Sequence, residues 1–80
     1  MSDKNSSQNK RYYIDDKVYL TKKEVECLYW LAMGKSSSEI SMILGNSERT
    51  IESHLAKCKA KMNCYKATTL VLKARDLGFI

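Results

Sequence analysis

The sequence predicts an all-α fold of four helices behind a short N-terminal arm, and three observations carry that prediction. Capping residues stand just ahead of apolar stretches: Thr21 with Glu24, Ser36 with Glu39, and Ser47 followed by Glu48. Beyond each cap the apolar residues repeat with a helical period instead of alternating. Proline is absent, and the three glycines, Gly34, Gly45 and Gly78, each fall where a periodic segment ends.

Residues 1–10 are rich in Ser, Asn and Lys with nothing to bury, so disorder is expected there. Residues 11–20, R-Y-Y-I-D-D-K-V-Y-L, place two short aromatic or β-branched runs around Asp15-Asp16. A hairpin or an extended arm packed on the domain both suit this pattern. Its tyrosines mark a docking segment, either for its own domain or for a partner. We therefore divide the chain into an arm, residues 1–19, and a helical domain, residues 20–80.

The first helix opens on the Thr21/Glu24 box and buries Val25, Leu28, Leu31 and Ala32, with Cys27 or Trp30 at its edges and Gly34 at its end. Trp30 reads as core or near-core packing. The second helix, about nine residues long, opens on the Ser36/Glu39 box and turns Ile40, Ile43 and Leu44 inward. Gly45-Asn46-Ser47 then reverses the chain, because Gly45 or Asn46 adopts a left-handed backbone readily. Short helix, glycine turn and longer capped helix make the sequence form of a helix-turn-helix. The last helix, residues 66–77, keeps Ala67, Leu70, Val71, Ala74 and Leu77 on one stripe, with Phe79-Ile80 folding back as an apolar clasp.

The third helix, residues 47–62, is the stretch that meets a partner. At 100° per residue Ile51, Leu55, Cys58 and Met62 form one apolar stripe. Opposite it lie Arg49, Ser53, Ala56 and Ala60, flanked on one side by Glu52 and Lys59 and on the other by Thr50, His54, Lys57 and Lys61. A face small in the middle and basic at its edges lets a helix sink into a DNA groove while long cations reach phosphates.

Composition narrows the partner class. The 80 residues make one small domain that buries about 60% of its unfolded surface, and they leave no room for a sensor or catalytic domain. The formal charge is +5, and residues 53–75 hold six basic side chains and no acidic one. Such a stretch suits a polyanion, or else a solvated face that keeps a small protein soluble. Three cysteines without a C-x-x-C pair read as reduced thiols in a cytoplasmic protein. His54 and Cys58 are two ligands and not a metal site, so no metal and no cofactor is expected. Cys64 reads as an exposed thiol without an activating neighbour.

No apolar run reaches the ~20 residues of a membrane span, and no signal-peptide core is present. Nothing supplies a nucleophile beside a base, a carboxylate pair or a phosphate-binding glycine loop, so an enzyme is not expected. Ser36, Ser37 and Ser38 are accounted for by the cap with Glu39.

With the four helices placed, residues 20–80 resemble the LuxR/FixJ-type (GerE-like) helix-turn-helix domain of bacterial transcription regulators. The resemblance rests on L-T-K-K-E-V-E-C-L at 20–28, M-G-K-S-S-S-E-I-S at 33–41, L-G-N-S-E-R-T-I-E-S-H-L at 44–55, K-A-K-M-N at 59–63 and L-G-F-I at 77–80, all in register. It implies that residues 48–62 lie in the major groove with the preceding helix as brace. Glu52, Ser53 and Ala56 then match base-facing positions, and Thr50, His54, Lys57 and Lys61 match phosphate or groove-edge positions.

Many members carry Lys, Arg or Asn in place of Glu52 and a long polar residue in place of Ala56. A carboxylate only accepts hydrogen bonds, so Glu52 either reads cytosine N4 or pairs with Arg49 and holds it for a guanine or a phosphate. Ser53 and Ala56 read little beyond a thymine methyl, which makes direct readout sparse.

The resemblance also implies a homodimer on DNA, paired through the last helix, where Thr68, Leu72 and Arg75 lie off the buried stripe. The expected function is a sequence-specific transcription regulator bound to double-stranded DNA. The alternative is an interaction module of the same fold that binds a regulator or RNA polymerase, favoured by an acidic Glu52 on the groove face. A sigma-factor promoter-reading region shares the capped helix and turn, but the closing L-G-F-I and the lysine ladder favour the first family.

Overall fold

A computed structural model describes residues 10–80. The expectation of disorder in residues 1–9 lies outside the described residues. The arm is a hairpin. Strand β1 (Arg11–Tyr13) pairs antiparallel with β2 (Tyr19–Thr21), with Tyr12 opposite Leu20 and Tyr13 opposite Tyr19. The Asp15 carboxylate closes the turn by accepting from the Lys17 and Val18 amides at 2.8 and 2.9 Å, an Asx-type turn that needs a short side chain with an acceptor oxygen.

Strand β2 runs directly into helix α1 (Lys22–Ala32), because Thr21 is both the last strand residue and the N-cap. Its hydroxyl accepts from the Glu24 amide at 3.2 Å, and Glu24 Oε1 accepts from the Thr21 amide at 2.9 Å. Helix α2 (Ser37–Leu44) repeats the box, Ser36 with Glu39. Accepting the Ser36 amide, and then its hydroxyl, holds the Glu39 carboxyl below its ordinary range. That contribution is present above the unfolded-chain pKa and is lost as pH falls through the lowered folded value.

Gly45, at φ 72°, ends α2 in the left-handed region, and α3 (Glu48–Lys61) follows from the Ser47 cap. Asn63, at φ 54°, breaks the chain again before α4 (Ala67–Asp76). A Cβ at Gly45 meets nothing within 4 Å, so Gly45→Ala isolates the backbone cost. We expect a loss of about 1 kcal/mol in urea unfolding. A neutral result would mean that the turn does not need its left-handed residue.

The core gathers Leu20 from the hairpin, Val25, Cys27 and Leu28 from α1, Ile40 from α2, Ile51, Leu55 and Cys58 from α3, and Leu70 and Ala74 from α4. Met62 and Cys64 close it from the α3–α4 turn. The C-terminal clasp holds the hairpin, with the Tyr12 and Phe79 rings meeting edge-on at 5.6 Å.

Three inward assignments need correcting. Ile43 is exposed, because α2 is only two turns long and its buried line runs through Ile40 to Leu44. Ala67 and Leu77 are exposed, Ala67 as the first residue of α4 and Leu77 as its C-cap, where the helix's buried line through Leu70 and Ala74 has not begun or has already ended. Cys64, expected at the surface, is 8% exposed.

Candidate nucleic-acid interface

Helix α3 owes its face to its cap and its stripe. The Ser47 hydroxyl accepts from the Thr50 amide at 3.1 Å and donates to Thr50 Oγ1 at 2.9 Å, so the Thr50 hydroxyl keeps its own proton to give to an outside acceptor. Ile51, Leu55 and Cys58 are buried against α1 and α2. On the far side Arg49, Glu52, Ser53, Ala56, Lys57 and Ala60 are all exposed, with Thr50 and His54 half-buried at the edge.

Among the described residues, the side chains of Arg49, Glu52, Ser53, His54 and Lys57 make no hydrogen bond or ion pair within the chain. The Arg49–Glu52 pair considered from the sequence is therefore not formed. The long charged groups of this face stand in water, held only by the helix beneath them.

Lys61 departs from its expected place. Its ammonium sits 2.8 Å from Glu24 Oε1, and the two side chains are 30% and 3% exposed. It also lies 5.7 Å from the Tyr19 ring centroid. Assigned from the sequence to a phosphate, Lys61 is committed to the carboxylate that caps α1. A deeply buried carboxylate requires a cation, and the last turn of α3 passes directly over it.

Lys73 is also engaged inside the fold, donating to the Met62 and Asn63 carbonyls at 2.9 and 3.4 Å. It satisfies carbonyl groups that the end of α3 leaves open. Two of the six cations in the one-signed stretch thus stabilise the domain itself.

The thiols are structural. Burial pushes Cys27 up to about 11 and Cys58 up to about 12, and the Cys58 thiol points at the Glu24 carbonyl, 3.8 Å away. Among the described residues, no group of three or more His, Cys, Asp or Glu could hold a metal ion, and no helix is long and apolar enough to cross a membrane.

On α4, Thr68, Leu72 and Arg75 are exposed, Leu72 at 60%. Thr68 and Leu72 border an open apolar groove of about 400 Å³ with Leu31, Ala32, Ala67 and Val71. The groove opens between the end of α1 and the start of α4, and Leu31 and Ala32, which line it, are only half-buried.

Sequence alone leaves the hairpin's cations unassigned. The Arg11 guanidinium lies 4.9 Å from the Tyr19 ring centroid, and Lys10 Nζ lies 5.0 Å from that of Tyr12. The run of two basic and two aromatic residues at 10–13, K-R-Y-Y, is the available signal, and only pairing with β2 sorts it into two faces, Arg11 with Tyr13 and Tyr19 on one and Lys10 with Tyr12 on the other.

Comparison with known proteins agrees with this geometry. The family model described as bacterial regulatory proteins, luxR family, matches residues 18–74. The transcriptional activator protein LuxR of Aliivibrio fischeri is 49% identical over 61 residues, 76% of this chain and 24% of that protein. AnoR of Acinetobacter nosocomialis, also a transcriptional activator, is 40% identical over 63 residues, 79% of this chain and 26% of that protein. The chain therefore spans about a quarter of the length of these regulators.

Among solved structures, the transcription factor GerE superposes with a TM-score of 0.72 at 28% identity, over 75% of this chain and 90% of that one. The Vibrio cholerae VqmA dimer without its target DNA gives 0.74 at 33% identity, over 84% of this chain and 30% of that one. The VqmA–ligand–DNA complex gives 0.70 at 31% identity, over 84% and 29%.

Proposed function

The chain belongs to the luxR family of bacterial regulatory proteins, and from that premise we propose that it binds double-stranded DNA as a transcription regulator, with α3 in the major groove and two copies paired through α4. The observation that carries this reading is the outer face of α3. Its exposed centre is Ser53, Ala56 and Ala60, while Arg49 and Lys57 extend from it without a partner among the described residues. Small residues permit close approach to base edges, and the cations reach phosphates.

In this arrangement Glu52, Ser53 and Ala56 face bases, with Arg49 beside them. Thr50, His54 and Lys57 stand at the groove edge, where the free Thr50 proton suits a phosphate oxygen. Thr68, Leu72 and Arg75 form the dimer patch, so that half-sites lie about one helical turn apart. DNA-bound and dimeric structures of VqmA support the reading by similarity.

A second reading has its own support. Tyr13 at 50% and Leu72 at 60% exposure offer apolar surface away from α3, and Glu52 repels phosphate. A module that binds RNA polymerase or another regulator would use these residues.

Selection from randomised duplexes at near-physiological salt separates the two. The expected result is an enriched inverted repeat, with Glu52→Ala relaxing preference at one cytosine-bearing position by about 1–3 kcal/mol. Enrichment without any change in Glu52→Ala would remove that residue from base reading. Absence of duplex binding at low salt would favour the protein-binding module.

A further inference from the structure

We propose that the N-terminal hairpin is a second DNA-contacting element, with Lys10 and Arg11 binding backbone phosphates that flank the segment read by α3. The proposal rests on the reading of α3 as a groove-bound helix and adds a site which that reading does not contain.

The first observation is continuity. Thr50, His54, Lys57 and Lys61 follow one another along a single flank of α3 at helical spacing. Lys61, at the end of that flank, meets the Tyr19 ring at 5.7 Å, and the Arg11 guanidinium meets the same ring at 4.9 Å. One aromatic ring thus joins the basic flank of the helix to the base of the hairpin. Lys10 precedes Arg11 and lies over Tyr12 on the opposite face of the hairpin, so the two cations bracket the start of β1.

The second observation is charge balance. Glu24 is the buried carboxylate on this path, and Lys61 neutralises it at 2.8 Å. Among the described residues neither Lys10 nor Arg11 forms an ion pair. The acidic residues of the hairpin, Asp15 and Asp16, lie at its turn, beyond the Tyr13–Tyr19 pair and away from the Arg11–Thr21 end. The hairpin therefore carries Lys10 and Arg11 at its open end and its two carboxylates at the turn.

The third observation is preorganisation. Both cations are exposed residues that rest on rings, which limits their rotamers. A phosphate oxygen is the acceptor that such a group meets on duplex DNA next to an occupied groove. Nothing in this cluster reads a base, so the gain is in affinity and footprint and not in sequence preference.

The test uses the full chain and the enriched duplex, prepared with long flanks and with flanks trimmed to the half-sites. Deleting one cation–phosphate interaction reduces the slope of log K against log salt by about 0.9. For the Lys10→Ala/Arg11→Ala double variant we expect a slope lower by about 1.8 per bound protomer, twice that single-phosphate value, with the enriched sequence unchanged. We also expect that trimming the flanks weakens wild type but leaves the double variant unaffected. Lys17→Ala, at the acidic turn, should behave as wild type.

A double variant with the wild-type slope and the wild-type response to trimming overturns the proposal while leaving α3 as reader. A wild type that binds neither duplex removes the reading of α3 and this proposal together. A double variant whose enriched sequence changes would overturn the assignment to phosphates.

Discussion

Lys61→Met is expected to lower unfolding free energy by about 2–3 kcal/mol, which in a domain of this size lowers Tm by about 10–20 °C. The variant leaves Glu24, 2% exposed, with a charge and no cation. Breaking a buried pair from one side typically costs about 3–5 kcal/mol, and the 30% exposure of the Lys61 side chain discounts the figure to about 2–3 kcal/mol.

The double variant Glu24→Gln/Lys61→Met should recover most of the loss. A glutamine oxygen still accepts the Thr21 amide and preserves the capping box, and no unpaired charge is left inside. Urea unfolding of the two single variants and the double gives the coupling directly. If Lys61→Met costs less than about 0.5 kcal/mol, the pair is an ordinary surface bridge and Lys61 returns to the set available for DNA.

The second large effect concerns binding and not folding. Ala56→Trp places the largest side chain at the centre of the exposed α3 face, where the proposed groove contact requires close approach. We expect duplex affinity to fall by about 100-fold or more, about 2.7 kcal/mol, with stability changed by no more than about 0.5 kcal/mol, since Ala56 supports nothing inside the domain. Competition binding on the enriched duplex and a urea curve on the same sample separate the two quantities. Retained affinity would mean that this face does not enter a groove, and the exposed tyrosine and leucine surfaces would become the place to look for a partner.

Much of the fold is legible locally. The two capping boxes, the left-handed Gly45, the stripe of Ile51, Leu55, Cys58 and Met62 and the residues opposite it all depend on neighbours within four positions. A helical period states which side of α3 is buried as soon as the helix is placed.

The errors follow from distance along the chain. Ile43, Ala67 and Leu77 are apolar and in phase, but whether a phase is covered depends on how far the neighbouring helices extend. Lys61 and Lys73 read as outward cations, because nothing near either position names Glu24, 37 residues before Lys61, or the Met62 carbonyl as its partner. Arg11 and Tyr19 become neighbours only when β1 pairs with β2.

Local sequence is enough to set the helices, their caps, their buried sides and the small, basic-edged character of the outer face of α3, because those are properties of a 3.6-residue period and of short-range hydrogen bonds. Which cations remain available depends on contacts made between distant segments. Charge in a sequence is a sum over residues, whereas a cation's freedom depends on whether folding brings a carboxylate, a carbonyl or an aromatic ring within reach. For Lys61 it brought a buried carboxylate and for Lys73 two carbonyls. Among the described residues Lys57 stayed unpaired, and Arg11 was seated on a ring beside the helix it is proposed to assist.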